Sequence, residues 1–279
     1  MHFSAKERLC ARALLSRALY EDKADCDLTS MISCPEEKEG KFFLRTRQDI
    51  VVAGIETVSL GFKFLSGAVE TTLMKEDGER ASAGETLAVV SGPLAPILSC
   101  ERTVLNLLQR MCGVATLTAK YVSASRGLVK IVDTRKTMPG FRLLDKYAVV
   151  CGGGQNHRLD LSDMIMLKDN HLHYSGLSYA ELFEKARKEH PGVPIAVEAE
   201  NYDQALELAV LKPDILMLDN IPAEEMKRIA EALKGKVTLE ATGGVTLDNL
   251  SEIAECGVQR VSIGAITHSA PAVDLGLDA

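Results

Sequence analysis

The chain has 279 residues, 46% of them hydrophobic and 25% charged, with a formal net charge of -7; this balance describes a soluble globular protein of one large domain or two smaller ones. No run of about 18 uncharged apolar residues provides a membrane span, the charges in MHFSAKERL leave no apolar core for a signal peptide, and the acidic balance lacks the basic face of a general nucleic-acid binder. The seven cysteines are odd in number and form no CxxC pair, which fits reduced thiols in the cytoplasm better than a disulfide framework or a zinc site.

Ala5 to Tyr20 reads as an amphipathic helix, with Leu9, Leu14, Leu15, Ala18 and Leu19 at helical spacing. EDKADCDLTS follows as a polar turn. Gly40 to Ala53 predicts two short strands around a polar turn, and Gly54 to Phe64 a helix. Val69 to Val90 has strand character, with turns at Asp77-Gly78 and Ala83-Gly84. These elements make a small α+β domain, read as a packing and assembly scaffold. Pro93 and Pro96 mark a break. Ser99 is then a candidate N-cap for a helix through Met111 that ends at Gly113, with Val104, Leu107, Leu108 and Met111 as its apolar stripe; Ala115 to Arg126 reads as a second helix.

From Leu128 the pattern becomes regular. Short apolar runs end in polar groups: LVKIVD at Asp133, MIML at Lys168, IAV at Glu198, ILML at Asp219, VTL at Glu240 and VSI at Gly264. Glu198, Asp219 and Glu240 are spaced 21 residues apart, about the length of one strand, one helix and two loops. Nearly continuous apolar strands imply a parallel sheet covered on both faces. Repeated units with functional groups at strand C-terminal ends describe a β/α barrel, with an open doubly wound sheet as the alternative. Six strands are clear and Tyr147 to Val150 is a candidate seventh, so the barrel is expected to be incomplete.

The stretch from Asp133 to His171 concentrates Arg135, Lys136, Arg142, Lys146, His157, Arg158, Lys168 and His171 around the run Gly152 to Gly154. Such a block in an acidic chain describes a site for an anionic small molecule; a solvated charged loop is the plainer alternative. Strand ends gather Arg135, Lys136 and Lys168 as cations suited to carboxylates or phosphates. They gather Glu198, Asp219 and Glu240 as anions suited to Mg²⁺ on a polyphosphate, to ribose hydroxyls or to developing positive charge. The competing role for Glu198 and Asp219 is an ion pair with a barrel lysine. Thr242-Gly243-Gly244 and Gly264-Ala265, in consecutive units, are candidate phosphate-binding turns, or tight turns needed only for connection. His157, beside Arg158, reads as a ligand contact. His171 and His173 receive no metal role, His268 reads as structural, and Cys151 reads as a small residue at a tight turn rather than a nucleophile.

DTRKTMPG, KYAVVCGGGQNHR, LKDNH, VEAE, LDN and SIGAITHS, in this order, resemble the quinolinate phosphoribosyltransferase family, also called nicotinate-nucleotide pyrophosphorylase (carboxylating). The resemblance covers the whole chain. It implies an α/β protein: an N-terminal sandwich domain at 1–106, an incomplete seven-stranded β/α barrel at 107–267, and a tail at 268–279 packing back on the N-terminal domain. It implies reaction of quinolinate with phosphoribosyl pyrophosphate to give nicotinate mononucleotide, pyrophosphate and CO₂, with Mg²⁺, in a cytoplasmic homodimer or an assembly of dimers.

The resemblance further implies that Arg135, His157 and Arg158 bind the quinolinate carboxylates, and that Arg102 reaches into the neighbouring subunit's site. By the same resemblance, Lys136 and Lys168 are expected near both substrates, and Glu198 and Asp219 are expected to face the ribose and the Mg²⁺-pyrophosphate. The resemblance also implies that Thr242, Gly243, Gly244, Gly264 and Ala265 cradle the 5-phosphate, with Thr134 and Ile263 completing the substrate-binding set. Three positions depart from the family pattern: Thr242 stands for serine, Ala196 for a frequent glutamate, and Cys26 for a common glycine. The competing functions are a Schiff-base aldolase using Lys168 and a non-catalytic ligand-binding relative.

Overall fold

Ser4 caps the first helix, α1 (Ala5–Glu21), through a capping box with Glu7. Of its expected apolar stripe, Leu15 and Leu19 are buried while Leu9 faces solvent. The computed structural model describes residues 1–35 and 37–279 and places this helix in the first of two units. The first unit gathers Met1–Ala119, Thr137–Gly153 and Ile266–Ala279; the second gathers Lys120–Lys136 and Gly154–Ala265.

The polar stretch after α1 is more ordered than expected. Its Asp27 caps α2 (Leu28–Ser33) by accepting from the Thr29 and Ser30 amides, and also accepts the Ser99 hydroxyl at 2.9 Å. The Ser30 hydroxyl above all, then its amide and Ser99, hold the Asp27 carboxyl below its ordinary value. Such a group stabilises the fold above its unfolded pKa, and that contribution is lost as pH falls through the lowered folded value. Asp27→Ala is therefore expected to cost about 1 kcal/mol in urea unfolding at neutral pH, with the gap to the parent narrowing in acid. A gap that does not change with pH would contradict the assignment.

β1 (Glu39–Thr46), β2 (Ile50–Val51), α3 (Glu56–Phe62), β3 (Glu70–Leu73), β4 (Arg80–Ala81) and β5 (Thr86–Pro93) follow. β1 pairs antiparallel with β5 and β5 with β3, while β2 and β4 form a separate small ladder. Leu15, Leu44, Phe62, Leu87, Val104 and Leu108 belong to the core of this unit.

Next comes α4 (Leu94–Ala124), one helix of 31 residues where the sequence predicted two. It starts before Ser99, and Pro96 is tolerated because first-turn amides need no helical acceptor. Gly113 does not end it. A Cβ at Gly113 would stand 2.1 Å from the Pro271 carbonyl oxygen, so this glycine permits close passage of the chain's own C-terminal stretch rather than a C-cap. The Val273 amide donates to Gln109 along the same stretch, at 3.2 Å.

β6 (Lys130–Val132) opens the second unit's sheet. The chain then returns to the first unit as α5 (Arg142–Cys151). The candidate seventh strand, Tyr147 to Val150, lies inside this helix. Its four-residue apolar run fits either period; Leu144, Tyr147, Ala148 and Cys151, all buried, reveal the helical stripe. Tyr147 donates to Asp77 at 2.7 Å, and Arg110 makes two bonds of 3.1 Å to Asp145. Burial first, then the Asp77 charge, pushes the Cys151 thiol up to about 12, so this group is not a thiolate nucleophile at neutral pH.

The second unit continues with β7 (Ile165–Leu167), α6 (Asp169–Ser175), α7 (Tyr179–Glu189), β8 (Ile195–Ala199), α8 (Tyr202–Val210), β9 (Ile215–Asp219), α9 (Ala223–Ala232), β10 (Thr238–Thr242), α10 (Leu250–Ala254) and β11 (Arg260–Ser262). All six apolar runs expected to be strands are strands. They form one parallel sheet in the order β6-β11-β10-β9-β8-β7. A parallel bridge, Val132↔Gln155, adds the backbone before His157 to the other edge of β6. From Ile266 the chain is again in the first unit, through the rest of α11 (Ala265–His268) to β12 (Leu275–Asp278), which is antiparallel to β1. Among the described residues no helix is long and apolar enough to cross a membrane.

Candidate active site

The strands of the parallel sheet deliver their C-terminal ends to one side of the second unit. There a cavity of about 520 Å³ opens. β6 leads into Thr134, Arg135 and Lys136. The bridged backbone supplies His157 and Arg158, β7 supplies Met166 and then Lys168, and β8 supplies Glu198. β9 gives Met217, Asp219 and then Asn220, while β10 ends in Thr242 and turns through Gly243 and Gly244. β11 contributes Ser262.

His157 and Arg158 are fixed from below. The fully buried Asp133 accepts the His157 amide at 2.8 Å. The Arg158 amide donates to His157 Nδ1 at 2.7 Å, so the ring carries its proton on Nε2 when neutral. Arg158 Nη1 donates to the Met164 carbonyl at 3.0 Å, and Nη2 lies 3.5 Å from Met166 Sδ. Burial, and after it the neighbouring Arg135 charge, pushes the Arg158 guanidinium below its ordinary value, with Glu198 acting in the opposite sense. Two close cations in a partly desolvated wall favour a bound anion.

Lys168 Nζ is ion-paired with Glu198 Oε1, which meets the alternative expected for that acid. The Lys168 amide donates to His171 Nδ1 at 3.1 Å, giving His171 a capping role at α6. Asp219 stands beside Asn220, whose side-chain amide donates to it at 3.2 Å. Below the polar rim, Met217 packs with Ala196, Ile215, Met164 and Met166, so Ala196 belongs to an apolar floor. Among the described residues no group of three or more His, Cys, Asp or Glu is placed to hold a metal ion.

Several expected members of the site do not line this cavity. Glu240 is not among the cavity-lining residues, because β10 runs two residues further, to Thr242. It is fully buried, 2.7 Å from Arg260 Nε and 3.5 Å from His157 Nε2. Burial raises its pKa, against the lowering influence of Arg260 and Ser262. Ile263, Gly264 and Ala265 are also absent from the lining, though their neighbour Ser262 is present. Arg102 belongs to the first unit and is exposed.

Met166, Met217, Asn220 and Ser262 line the cavity without having been singled out in the sequence. The two methionines precede Lys168 and Asp219 by two residues each, on the same face of extended backbone, so the signal was present. Asn220 closes the LDN motif, where its residue type alone gives no chemical signal.

The model of the "Quinolinate phosphoribosyl transferase, N-terminal domain" matches residues 27–112, and that of the corresponding C-terminal domain matches residues 114–278. A Bacillus subtilis protein named probable nicotinate-nucleotide pyrophosphorylase [carboxylating] is 39% identical over 269 residues, covering 96% of this chain and 92% of its own. A Mycobacterium leprae protein named nicotinate-nucleotide pyrophosphorylase [carboxylating] is 36% identical, covering 96% of each chain. The crystal structure of nicotinate-nucleotide pyrophosphorylase from Ehrlichia chaffeensis superposes with a TM-score of 0.91 at 35% identity, over 100% of this chain and 99% of that one. With both domain models matched and relatives of this identity aligned over nearly their whole length, the chain belongs to the quinolinate phosphoribosyl transferase family.

Proposed function

We propose that the chain joins quinolinate to phosphoribosyl pyrophosphate and releases pyrophosphate and CO₂, leaving nicotinate mononucleotide. The observation that carries this reading is one cavity holding Arg135, Lys136, His157, Arg158 and Lys168 together with Glu198 and Asp219. A dicarboxylate and a polyphosphate sugar bring several negative charges, which the cations compensate. Arg158, with its fork already aimed by Met164 and Met166, and Arg135 take the ring carboxylates, and His157 lines the wall beside them. Thr134 and Lys136, adjoining Arg135, complete that wall. Thr242, Gly243 and Gly244 offer backbone amides to the 5-phosphate, with Ile263, Gly264 and Ala265 directly after β11, whose last residue, Ser262, lines the cavity.

The pyridine nitrogen already has a lone pair, so its attack on C1 of the sugar needs no general base. As the C1–O bond to pyrophosphate breaks, positive charge develops on the sugar, and Glu198 and Asp219 offset it. The N-glycosylated ring is cationic. It accepts the electron pair of the breaking C2–carboxylate bond as CO₂ leaves, and a proton then takes the carboxylate's place. The site thus works mainly by positioning and charge compensation.

Glu198 and Asp219 fit a Mg²⁺ ion that arrives largely ligated by pyrophosphate, since two acids, one already paired to Lys168, make a partial shell. Bound there, the ion would neutralise the leaving group. We read the six parallel strands with their Gln155 bridge as the incomplete barrel, and the free cysteines as suited to the cytoplasm. The aldolase reading for Lys168 leaves Arg135 and Arg158 without a task.

Purified protein given quinolinate and phosphoribosyl pyrophosphate is expected to release pyrophosphate and CO₂ in equal amounts, and nicotinate in place of quinolinate is expected to react far more slowly. Equal turnover of nicotinate, or none with quinolinate, would overturn the assignment. We further propose a homodimer in which Arg102 is supplied across the interface. Arg102→Ala chains mixed with Lys168→Ala chains should then regain activity as heterodimers; verified mixed dimers without recovery would contradict a shared site.

A further inference from the structure

Asn220 is bound to two parts of the cavity wall at once. Its φ of 53° lies in the left-handed region, where a residue with a side chain is strained and asparagine is among the few that are tolerated. Such conformations persist where surrounding contacts enforce them. Three contacts do so here. The Asn220 backbone amide donates to the Thr242 carbonyl at 2.9 Å. Its side-chain Nδ2 donates to Asp219 Oδ1 at 3.2 Å. Its amide group also lies directly against Gly243: a Cβ built there would stand 2.3 Å from Oδ1, 2.5 Å from Cγ and 2.6 Å from Nδ2. Gly243 itself has φ +86°, so the turn combines a glycine-dependent backbone with a glycine-dependent gap, and Asn220 fills the gap.

We propose that Asn220 is a positioning residue that couples the Asp219 carboxylate to the Thr242-Gly243-Gly244 turn, setting the orientation of the acid and the shape of the turn together. This rests on the reading in which Asp219 faces the ribose and the turn holds the 5-phosphate. Both groups would then touch the same substrate, phosphoribosyl pyrophosphate, at sites joined by one side chain. The left-handed backbone lets a single residue following β9 point its amide to Asp219 and its N–H to β10. Aspartate tolerates that φ but carries no amide donor for Asp219, and glycine adopts it but has no side chain at all.

Two variants separate positioning from packing. Asn220→Gly keeps the backbone without strain and removes only the amide. It is expected to fold with an unchanged or higher melting temperature. The KM for phosphoribosyl pyrophosphate should rise about tenfold or more and kcat should fall, while quinolinate binding measured in its absence stays within about twofold. Asn220→Asp keeps the shape but sets a second carboxylate where the donor to Asp219 was. Its KM for phosphoribosyl pyrophosphate should rise, and its kcat fall, at least as far as in the glycine variant. A glycine variant with parental KM and kcat, or equal weakening of both substrates, would overturn the coupling, as would an aspartate variant with parental kinetics. The parent enzyme run alongside keeps this distinct from the function itself: a parent that does not turn over defeats the reading of the site, whereas an active parent with indifferent variants defeats only the role of Asn220.

Discussion

Arg158→Ala is expected to raise the KM for quinolinate about a hundredfold while leaving that for phosphoribosyl pyrophosphate within about threefold. Loss of one member of a desolvated, hydrogen-bonded charge pair costs about 2–5 kcal/mol, and each 1.4 kcal/mol is a factor of ten. The effect falls on one substrate because the guanidinium is held toward β7, by Met164 and Met166, rather than toward the Thr242-Gly243-Gly244 turn. Arg158→Lys keeps the charge without the fork and should lie between the two. The free enzyme should tolerate the loss better than the complex. Burial and the Arg135 charge already disfavour the Arg158 cation, so its removal relieves repulsion while giving up a neutral-acceptor hydrogen bond worth about 1 kcal/mol. Steady-state kinetics in both substrates and a thermal melt check the two halves. Equal loss for both substrates would place Arg158 outside the pyridine acid's subsite.

Glu198→Gln is expected to lower kcat by about 10²–10³-fold, with smaller changes in either KM, as removal of preorganised charge at a transition state does. Its partner complicates the reading in a useful way. Lys168 is ion-paired with Glu198, so the single variant leaves a cation without its counter-charge. Combining it with Lys168→Met tests whether the pair acts as a unit: the double variant should be no slower than the worse single one, because groups in direct contact are not additive. Strictly additive losses in pre-steady-state rates would mean that the two residues act separately.

Much of this site could be read from residue order because the parallel sheet has one repeating rule: an apolar run, then the functional group at its end. That rule placed Arg135, Lys168, Glu198 and Asp219 on one cavity. It misplaced Glu240, since nothing in VTLEATGG distinguishes a strand that ends at the acid from one that continues two residues to Thr242. The half-buried partner Arg260, which explains the acid, comes from the next strand and is invisible to local pattern. Tyr147 to Val150 failed for a related reason: four apolar residues fit both periods, and only the longer stripe from Leu144 to Cys151 decides for the helix. Gly113 read as a stop because glycine usually is one near a helix end; its actual reason is Pro271, far away in the chain. Asn220 was missed because its meaning lies in a backbone angle and in a gap over Gly243, neither of which has a sequence signature beyond the residue type.

The most direct measurement is a crystal structure with pyridine-2,3-dicarboxylate bound. Both ring carboxylates are expected within about 3 Å of the Arg135 and Arg158 guanidinium nitrogens, with the ring nitrogen turned toward Glu198 and Asp219. A ring seated elsewhere, or carboxylates that touch neither arginine, would contradict the assignment of this cavity.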